Sequence, residues 1–345
     1  MKPPYGDAEK LDFGRMFTEH MFTIKYREDK GWYDGKVEKY RSFSIDPAAC
    51  VLHYSQEIFE GLKAYKTADG RILLFRPEQN SRRLNRSARK LCMPELPEEL
   101  FLQALKELIL LEKEWIPEAP GTSLYIRPTM IATEAFLGVN PAKEYLFYLI
   151  LSPVGAYFKA GFNPVSIYVE DQLVRAAVGG VGDIKTGGNY AASLLGGEKA
   201  AQKGFSQVLW LDAKEHRYVE EVGAMNVFFV FGEKLVTPML TGSILPGITR
   251  DSVLRLAREM DYEVEERRIS IDEVLEGIKT KQLTEMFGSG TAAVISPVGL
   301  LHYQDTNYDI NDNQVGKVTK TFYEHLLDIQ YGRAEDKLGW SYELK

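Results

Sequence analysis

The sequence predicts an α+β fold of two domains, and three observations support this prediction. The chain has 345 residues, a length that favours two domains over one. Segments with strand and helix character are mixed in both halves, without the regular βαβ alternation of a doubly wound sheet. Between the halves, Ser152–Pro164 contains two prolines and two glycines, which is typical of a linker. We therefore expect domains at 1–155 and 165–345, joined by a linker at 156–164.

The elements of the first half follow from apolar periodicity and from helix start signals. The predicted elements are strands at Met21–Arg27, Arg71–Arg76, Thr122–Thr133 and Glu144–Val154, a helix that opens at Pro77, and a helix over Leu100–Trp115. The two longest strands are almost entirely apolar, so we expect both to be buried.

The second half is predicted from the same signals, with β-branched and aromatic content marking its strands. The predicted elements are strands at Val165–Glu170, Ser206–Asp212 and Met225–Gly232, and helices at Tyr190–Lys203, Thr249–Met260 and Lys317–Gln330. Thr249 is expected to be the N-cap of its helix. Gly332 lies just past the last helix, where glycine commonly ends a helix.

Composition and charge exclude several classes of function. The net charge of −7 argues against nucleic acid as the main partner. The two cysteines form no CxxC pair and the five histidines are scattered, so no metal site is predicted. No apolar run is long enough to span a membrane, and the polar start does not resemble a signal peptide. We expect a soluble cytoplasmic protein whose partners are small molecules.

The segment Gly179–Tyr190, GGVGDIKTGGNY, places a single lysine between glycine pairs. It is not a Walker loop, because no glycine directly precedes Lys185, and it lacks the third glycine of GxGxxG. Two interpretations remain from the residues alone. The segment is either a turn with a solvated lysine, or a mount for a lysine that forms a Schiff base. In the second case, flanking glycines would let the lysine swing away from its cofactor.

A pyridoxal phosphate bound at Lys185 would require partners for its phosphate, its pyridine nitrogen and its ring oxygen. The phosphate candidates are the helix start in Ser243–Val253 and the small-residue loop Phe287–Val294. Glu220 or Glu221 could face the ring nitrogen, and Tyr190 could face the ring oxygen. Each candidate also fits an ordinary structural role: an N-cap, a strand bulge, a hairpin loop or a core tyrosine.

Arg127 lies in the otherwise apolar strand segment LYIRPT. A buried guanidinium is costly unless it is paired. Arg127 is therefore expected either to form a structural ion pair or to bind a carboxylate ligand, and its sequence context alone leaves both alternatives open.

Eight motifs in order resemble those of the branched-chain amino acid aminotransferases, which are fold type IV pyridoxal phosphate enzymes. The resemblance runs from about residue 20 to the IQYGR near residue 333. The motifs are LHYSQEIFEGLKAY, RPEQNSRRLNRSA, SLYIRPT, SPVGAYF, GGVGDIKTGGNYAAS, EVGAMNVFF, ILPGITRDSV and EMFGSGTAAVISPV.

The resemblance implies a two-domain enzyme with pyridoxal 5'-phosphate at the domain junction, acting as a homodimer. It implies reversible amino transfer between leucine, isoleucine or valine and 2-oxoglutarate, with ping-pong kinetics. Neither the substrate preference nor the physiological direction follows from it. Rival functions are a D-amino acid aminotransferase, an aminodeoxychorismate lyase, and a non-catalytic cofactor-binding or nucleotide-binding protein.

The resemblance also implies roles for individual residues. Lys185 would bind the cofactor covalently and move the proton at the substrate α-carbon, Glu221 would pair with the pyridine nitrogen, and Tyr190 would donate to the ring oxygen. The implied phosphate ligands are Arg83, Thr291 and the amides of Ile248 and Thr249. The implied substrate ligands are Tyr54 and the Thr291–Ala292 amides for the α-carboxylate, Phe59, Tyr125 and Tyr157 for the apolar pocket, and Arg127 for a distal carboxylate.

Two departures from the family pattern have consequences. Ala293 and Ser296 replace the cysteines of a redox-sensitive CxxC found in some animal members, so no thiol switch is expected. Ala224 replaces a threonine near the cofactor in those members, which removes one expected hydrogen bond.

Overall fold

The computed structural model describes residues 4–155, 157 and 162–345, which form two compact units. The first comprises Met1–Lys159, Lys185–Gly187 and Asp328–Lys345, and the second comprises Ala160–Ile184 and Gly188–Leu327. Of the linker predicted at 156–164, residues 156 and 158–161 lie outside the described residues. The prediction that residues 165–345 form one domain differs from the observed division, because two later segments belong to the first unit.

The first unit is built on an antiparallel sheet. Its strands before residue 160 are β1 (His20–Arg27), β2 (Gly31–Lys39), β3 (Glu57–Phe59), β4 (Leu62–Lys66), β5 (Ile72–Phe75), β6 (Ser123–Ala132) and β7 (Glu144–Val154). In the second unit follow β8 (Val165–Glu170), β9 (Gln207–Leu211), β10 (Val219–Val222), β11 (Met225–Phe231), β12 (Lys234–Pro238), β13 (Glu263–Arg267), β14 (Leu283–Gly290), β15 (Val294–Tyr303) and β16 (Thr306–Asp309).

The last strand, β17 (Ser341–Leu344), returns to the first sheet, whose order is β17-β5-β4-β6-β7-β1-β2, with β3 paired to β6. Ser341 pairs with Phe75, and Leu344 pairs with Ile72. This pairing is the physical reason that Asp328–Lys345 belongs to the first unit, since a strand folds with the sheet that satisfies its backbone hydrogen bonds.

The helices of the first unit are α1 (Cys50–Tyr54), α2 (Pro77–Lys90) and α3 (Glu98–Leu111). Helix α2 starts at the predicted Pro77. Helix α3 ends before the predicted Trp115, because Lys113–Trp115 turns more tightly as a 3-10 helix. Phe101, Leu105 and Leu108 are fully buried in the core of the first unit, together with Phe147 of β7.

The second unit contains a sheet of order β10-β9-β8-β15-β14-β11-β12-β13, with β16 on β15. Strand β10 also pairs with β11, so the strands from β10 to β11 close into a ring. The remaining helices are α4 (Gly187–Ala191), α5 (Leu194–Gln202), α6 (Ile248–Glu259), α7 (Ile271–Lys279) and α8 (Lys317–Gln330). Within the described residues, no helix has the length and apolar character needed to cross a bilayer.

Three local predictions in the second half are wrong in detail. The helix predicted over Tyr190–Lys203 is two helices, α4 and α5. The N-cap of α6 is Gly247 rather than Thr249, because the Gly247 carbonyl accepts the first helical hydrogen bond, from the Asp251 N–H (3.0 Å). The loop predicted over Phe287–Val294 is mainly strand, since β14 continues to Gly290.

Candidate active site

The backbone of Lys185 is held on both sides by the first unit. Its N–H donates to Ser87 Oγ of α2 (3.1 Å), and its carbonyl accepts the N–H of Phe59 at the end of β3 (3.0 Å). The Lys185 Nζ lies 4.6 Å from the centroid of the Phe59 ring. The residue is half-buried, so the interpretation of a turn with a solvated lysine is not supported.

Arg83 and Glu60 form a buried ion pair in the same unit. Arg83 donates from Nε to Glu60 Oε1 (2.7 Å) and from Nη2 to Oε2 (2.8 Å). Asn80 Nδ2 donates to the same Oε2 (2.8 Å). Burial alone would raise the pKa of the Glu60 carboxyl, but the charges of Arg83 and Lys185 and these hydrogen bonds hold that pKa below its usual value.

Arg127 has a different environment. Its Nη2 donates to the hydroxyl of Tyr125 (3.0 Å), and its guanidinium carbon lies 4.8 Å from the Phe59 ring centroid and 5.4 Å from that of Tyr125. Its buried Nε has no hydrogen-bond partner in the part of the chain that the structure describes. Among the described residues, Arg127 forms no ion pair. The alternative of a structural ion pair is therefore not supported, and the guanidinium remains able to bind an acidic ligand.

Phe59 connects these groups, because the Lys185 ammonium and the Arg127 guanidinium both lie over its ring. Tyr125 lies close to Gly61, where an added Cβ would collide with the Tyr125 hydroxyl. The absence of a side chain at Gly61 is therefore what lets Tyr125 reach Arg127.

Two residues predicted for the substrate site have other surroundings. Tyr54 is 39% exposed, and its hydroxyl donates to the carbonyl of Leu137 (2.5 Å). Tyr157 is 46% exposed, and residues 156 and 158–161 around it are outside the described part of the chain.

In the second unit, Glu221 is a buried residue of β10, paired with Arg175. Arg175 Nη1 bonds Glu221 Oε2, and its guanidinium carbon lies 5.6 Å from the Tyr190 ring centroid. Arg175 thus brings together the two residues expected at the ring nitrogen and the ring oxygen. Sequence reasoning missed Arg175, although an arginine in the apolar run QLVRAAV is a signal of the same kind as Arg127.

The neighbouring Glu220 faces the opposite side of β10, as alternation along a strand requires. Its carboxyl accepts the Ser243 hydroxyl, and burial raises its pKa. The alternative of a solvated hairpin loop for Glu220 and Glu221 is wrong, because both side chains are buried in a strand.

Asn226 links the predicted phosphate segments with Glu221. Its Nδ2 donates to the carbonyl of Leu245 (2.8 Å), just before α6, and lies 3.4 Å from Glu221 Oε1. In the sheet it pairs with Ser289 of β14, the strand that ends one residue before Thr291. Helix α6 begins directly after Gly247, and its first two backbone amides are those of Ile248 and Thr249. Asn226 was also missed, although it lies within the motif EVGAMNVFF.

The glycines around Lys185 serve close packing. A Cβ at Gly182 would collide with the Ser243 carbonyl and with Ala176 Cβ, and one at Gly187 would collide with the Glu57 carboxylate. We expected flanking glycines that let the lysine swing away from its cofactor. Instead, these close contacts and the two backbone hydrogen bonds of Lys185 hold its main chain in place.

Comparisons with known proteins identify the family of this chain. The family model "Amino-transferase class IV" matches residues 57–301. "Branched-chain-amino-acid aminotransferase 2" of Bacillus subtilis is 53% identical over 343 residues, which cover 99% of this chain and 94% of that protein. The solved branched-chain amino acid aminotransferase of Escherichia coli has a TM-score of 0.75 at 28% identity, covering 94% of this chain and 99% of that one.

A second solved structure, the branched-chain amino acid aminotransferase of T.th. with pyridoxamine 5'-phosphate, has a TM-score of 0.77 at 27% identity, covering 93% of this chain and 98% of that one. These likenesses confirm the α+β, two-domain fold of the class IV enzymes that the motifs implied. The chain belongs to the class IV aminotransferases and, within them, to the branched-chain-amino-acid aminotransferases.

Proposed function

We propose that this aminotransferase moves the amino group of leucine, isoleucine or valine to 2-oxoglutarate, reversibly and in two half-reactions. The observation that carries this proposal is the environment of Arg127. An arginine that lies over two aromatic rings and forms no ion pair with a carboxylate of the described chain suits a pocket with two kinds of occupant. The rings contact an aliphatic side chain, and the guanidinium binds the distal carboxylate of glutamate or 2-oxoglutarate.

The proposed cofactor is pyridoxal 5'-phosphate, which supplies an aldehyde that accepts the amino group and a ring that withdraws electrons. The donor set fits this group. Lys185 would hold it covalently, Tyr190 would donate to its ring oxygen, and Glu221 would pair with its ring nitrogen. Arg175 bonds the Glu221 carboxyl, so a positive charge lies beside the group that would take this role.

The proposed phosphate ligands are Arg83, Thr291 and the first amides of α6. Helix N-termini bind anions because their N–H groups and dipole point at the ligand. Gly247 supports this assignment, since a Cβ there would fill the space next to Asn226. In Arg83, two of the three guanidinium nitrogens bond Glu60, so the ion pair fixes its orientation.

The remaining roles concern the substrate. Lys185 would act as a general base and acid that moves the proton at the substrate α-carbon. Tyr54 and the Thr291–Ala292 amides would hold the α-carboxylate, and Phe59, Tyr125 and Tyr157 would line the side-chain pocket. We also propose a cytoplasmic homodimer in which residues of a second copy complete the pocket, without nucleic-acid or membrane partners.

The test is an absorbance spectrum of the purified protein with pyridoxal phosphate, recorded before and after L-leucine and then after 2-oxoglutarate. We expect a visible band that fades with leucine and returns with 2-oxoglutarate. Lys185→Ala is expected to lose this band. A band that responds only to a D-amino acid would indicate a sibling enzyme, and the absence of any band would refute the cofactor assignment.

A further inference from the structure

The segment Lys185–Gly187 lies along β3 like a short extra strand. On its other edge, β3 pairs with β6. Phe59 donates its N–H to the Lys185 carbonyl (3.0 Å), and the Thr186 hydroxyl donates to the Glu57 carbonyl (2.8 Å). Each end of β3 therefore holds one part of the segment that carries the lysine.

The Glu57 side chain adds a third contact. Its Oε1 accepts the backbone N–H of Gly187. Glu57 is half-buried, and burial raises its pKa, while the Gly187 N–H and the nearby Arg127 act to lower it. The Glu57 carboxylate in turn acts to raise the pKa of the nearby Tyr148 hydroxyl of β7, which burial also raises. Both the ionised and the protonated carboxyl offer an oxygen to the Gly187 amide.

Gly187 is the residue that makes this contact possible. A Cβ at Gly187 would collide with Glu57 Oε1. At the adjacent Gly188, a Cβ would meet nothing within 4 Å in the described chain. The two glycines therefore differ: one is required for a close approach, and the other is not.

We propose that Glu57 is a positioning residue for Lys185, acting by holding the Gly187 amide. This proposal rests on the role of Lys185 in the proposed function. With its main chain fixed at Ser87, Phe59 and Glu57, only the side chain of Lys185 moves between its positions in the reaction. A displacement of the lysine by about 1 Å is enough to lower a catalytic rate about 100-fold.

The first experiment compares Glu57→Ala with Glu57→Gln in the holoenzyme. Glutamine keeps an oxygen acceptor, whereas alanine removes it. We expect the Gly187 amide to exchange hydrogen about tenfold faster in Glu57→Ala, because one hydrogen bond to a carboxylate is lost. We expect kcat to fall about 10- to 100-fold with a nearly unchanged KM for 2-oxoglutarate. Glutamine should restore most of both losses.

The second experiment tests the coupling of the two positions. Gly187→Ala alone should lower kcat about as much as Glu57→Ala, whereas the matched Gly188→Ala should not. In the Glu57→Ala background, Gly187→Ala should add little, since the colliding oxygen is gone. Hydrogen exchange of the β7 amides shows whether each variant is folded. If Glu57→Ala does not fold, Gly187→Ala still tests the proposal.

Three results would overturn the proposal: unchanged Gly187 exchange in Glu57→Ala, equal defects in Glu57→Ala and Glu57→Gln, or effects of Glu57→Ala and Gly187→Ala that simply multiply. Failure of the proposed function looks different. In that case the unmodified protein would show no amino transfer from leucine to 2-oxoglutarate, while the exchange of Gly187 would still depend on Glu57.

Discussion

Two arginines of the first unit, the buried Arg83 and the half-buried Arg127, differ in how their charge is compensated. Arg83 on α2 bonds a carboxylate, Glu60, through two nitrogens. Within the described part of the chain, the Arg127 side chain on β6 bonds a tyrosine hydroxyl and no carboxylate, and it lies over two rings. A paired guanidinium is fixed in place and its charge is neutralised locally. An unpaired one keeps its charge for a ligand, at a cost in desolvation that the ligand relieves. The two arginines, both proposed as ligand-binding residues, therefore differ in preparation: Glu60 orients Arg83 before a ligand binds, whereas Arg127 has no carboxylate partner among the described residues.

The largest effect is expected from removing Glu60, the carboxylate that bonds Arg83. Glu60→Ala removes the carboxylate that bonds two nitrogens of the buried Arg83 guanidinium, and breaking a buried ion pair costs about 3–5 kcal/mol of the free energy of unfolding. Urea denaturation measures this loss. The matched control is Glu98→Ala, which removes the exposed partner of Arg82 on the same helix and should cost less than about 1 kcal/mol. Equal losses in the two variants would contradict the distinction.

A change at Arg127 should affect substrate binding rather than the free energy of unfolding. Arg127→Met removes a charged partner of the distal carboxylate, which is worth about 10- to 100-fold in the KM for 2-oxoglutarate. The kcat/KM for leucine should change by less than about threefold, since an apolar side chain makes no such bond. Steady-state kinetics with both substrates measure the split. Arg41→Met, at an exposed arginine near Phe43, is the control, and a parallel loss for both substrates would refute the assignment.

A smaller effect is expected from the tyrosine that orients Arg127. Tyr125→Phe removes the acceptor of the Arg127 Nη2 hydrogen bond, which should raise the KM for 2-oxoglutarate about 3- to 10-fold. Tyr65→Phe is the matched control, because Tyr65 is likewise a buried strand tyrosine with a hydrogen-bonded hydroxyl, which here donates to Gln330 (2.9 Å). If both variants raise this KM equally, Tyr125 has no specific role toward Arg127.

The smallest effect is expected in the pH dependence of the free energy of unfolding. The folded-state pKa of Glu60 lies below its ordinary value of 4.5, so its ionised form stabilises the protein above that pH. This contribution is lost as the pH falls from 4.5 through the folded-state pKa. Glu60→Gln should therefore show a weaker fall of stability on acidification over this range. Acid titration of the unfolding free energy checks it, and identical slopes in both proteins would exclude Glu60 as a contributor.

Much of the fold was predictable from local pattern. The strands Glu144–Val154 and Val165–Glu170 and the helix Lys317–Gln330 have the predicted limits, because apolar periodicity and end signals act over a few residues. The division of the chain into units was less predictable. The pairing of Ser341–Leu344 with β5 joins residues far apart in sequence, and no local signal carries that partnership.

The candidate site divides in the same way. Lys185, Glu221 and Arg127 were identified because a lysine among glycines, or a charge in an apolar strand, is conspicuous. Their partners Arg175 and Asn226 were missed, and Glu60 was not singled out within its motif, because each role depends on which side chain lies opposite in space. The sequence motif alone names the group that reacts, but it does not name the group that holds it.

The return of Asp328–Lys345 to the first unit has a consequence for synthesis of the protein on the ribosome. Strand β5 remains without its β17 neighbour until the whole second unit has emerged. During that interval its backbone groups form an open sheet edge, which other nascent chains can pair with. At about 5–20 residues per second, the interval lasts on the order of ten seconds or more. A chain cut before residue 341 would keep this edge open permanently.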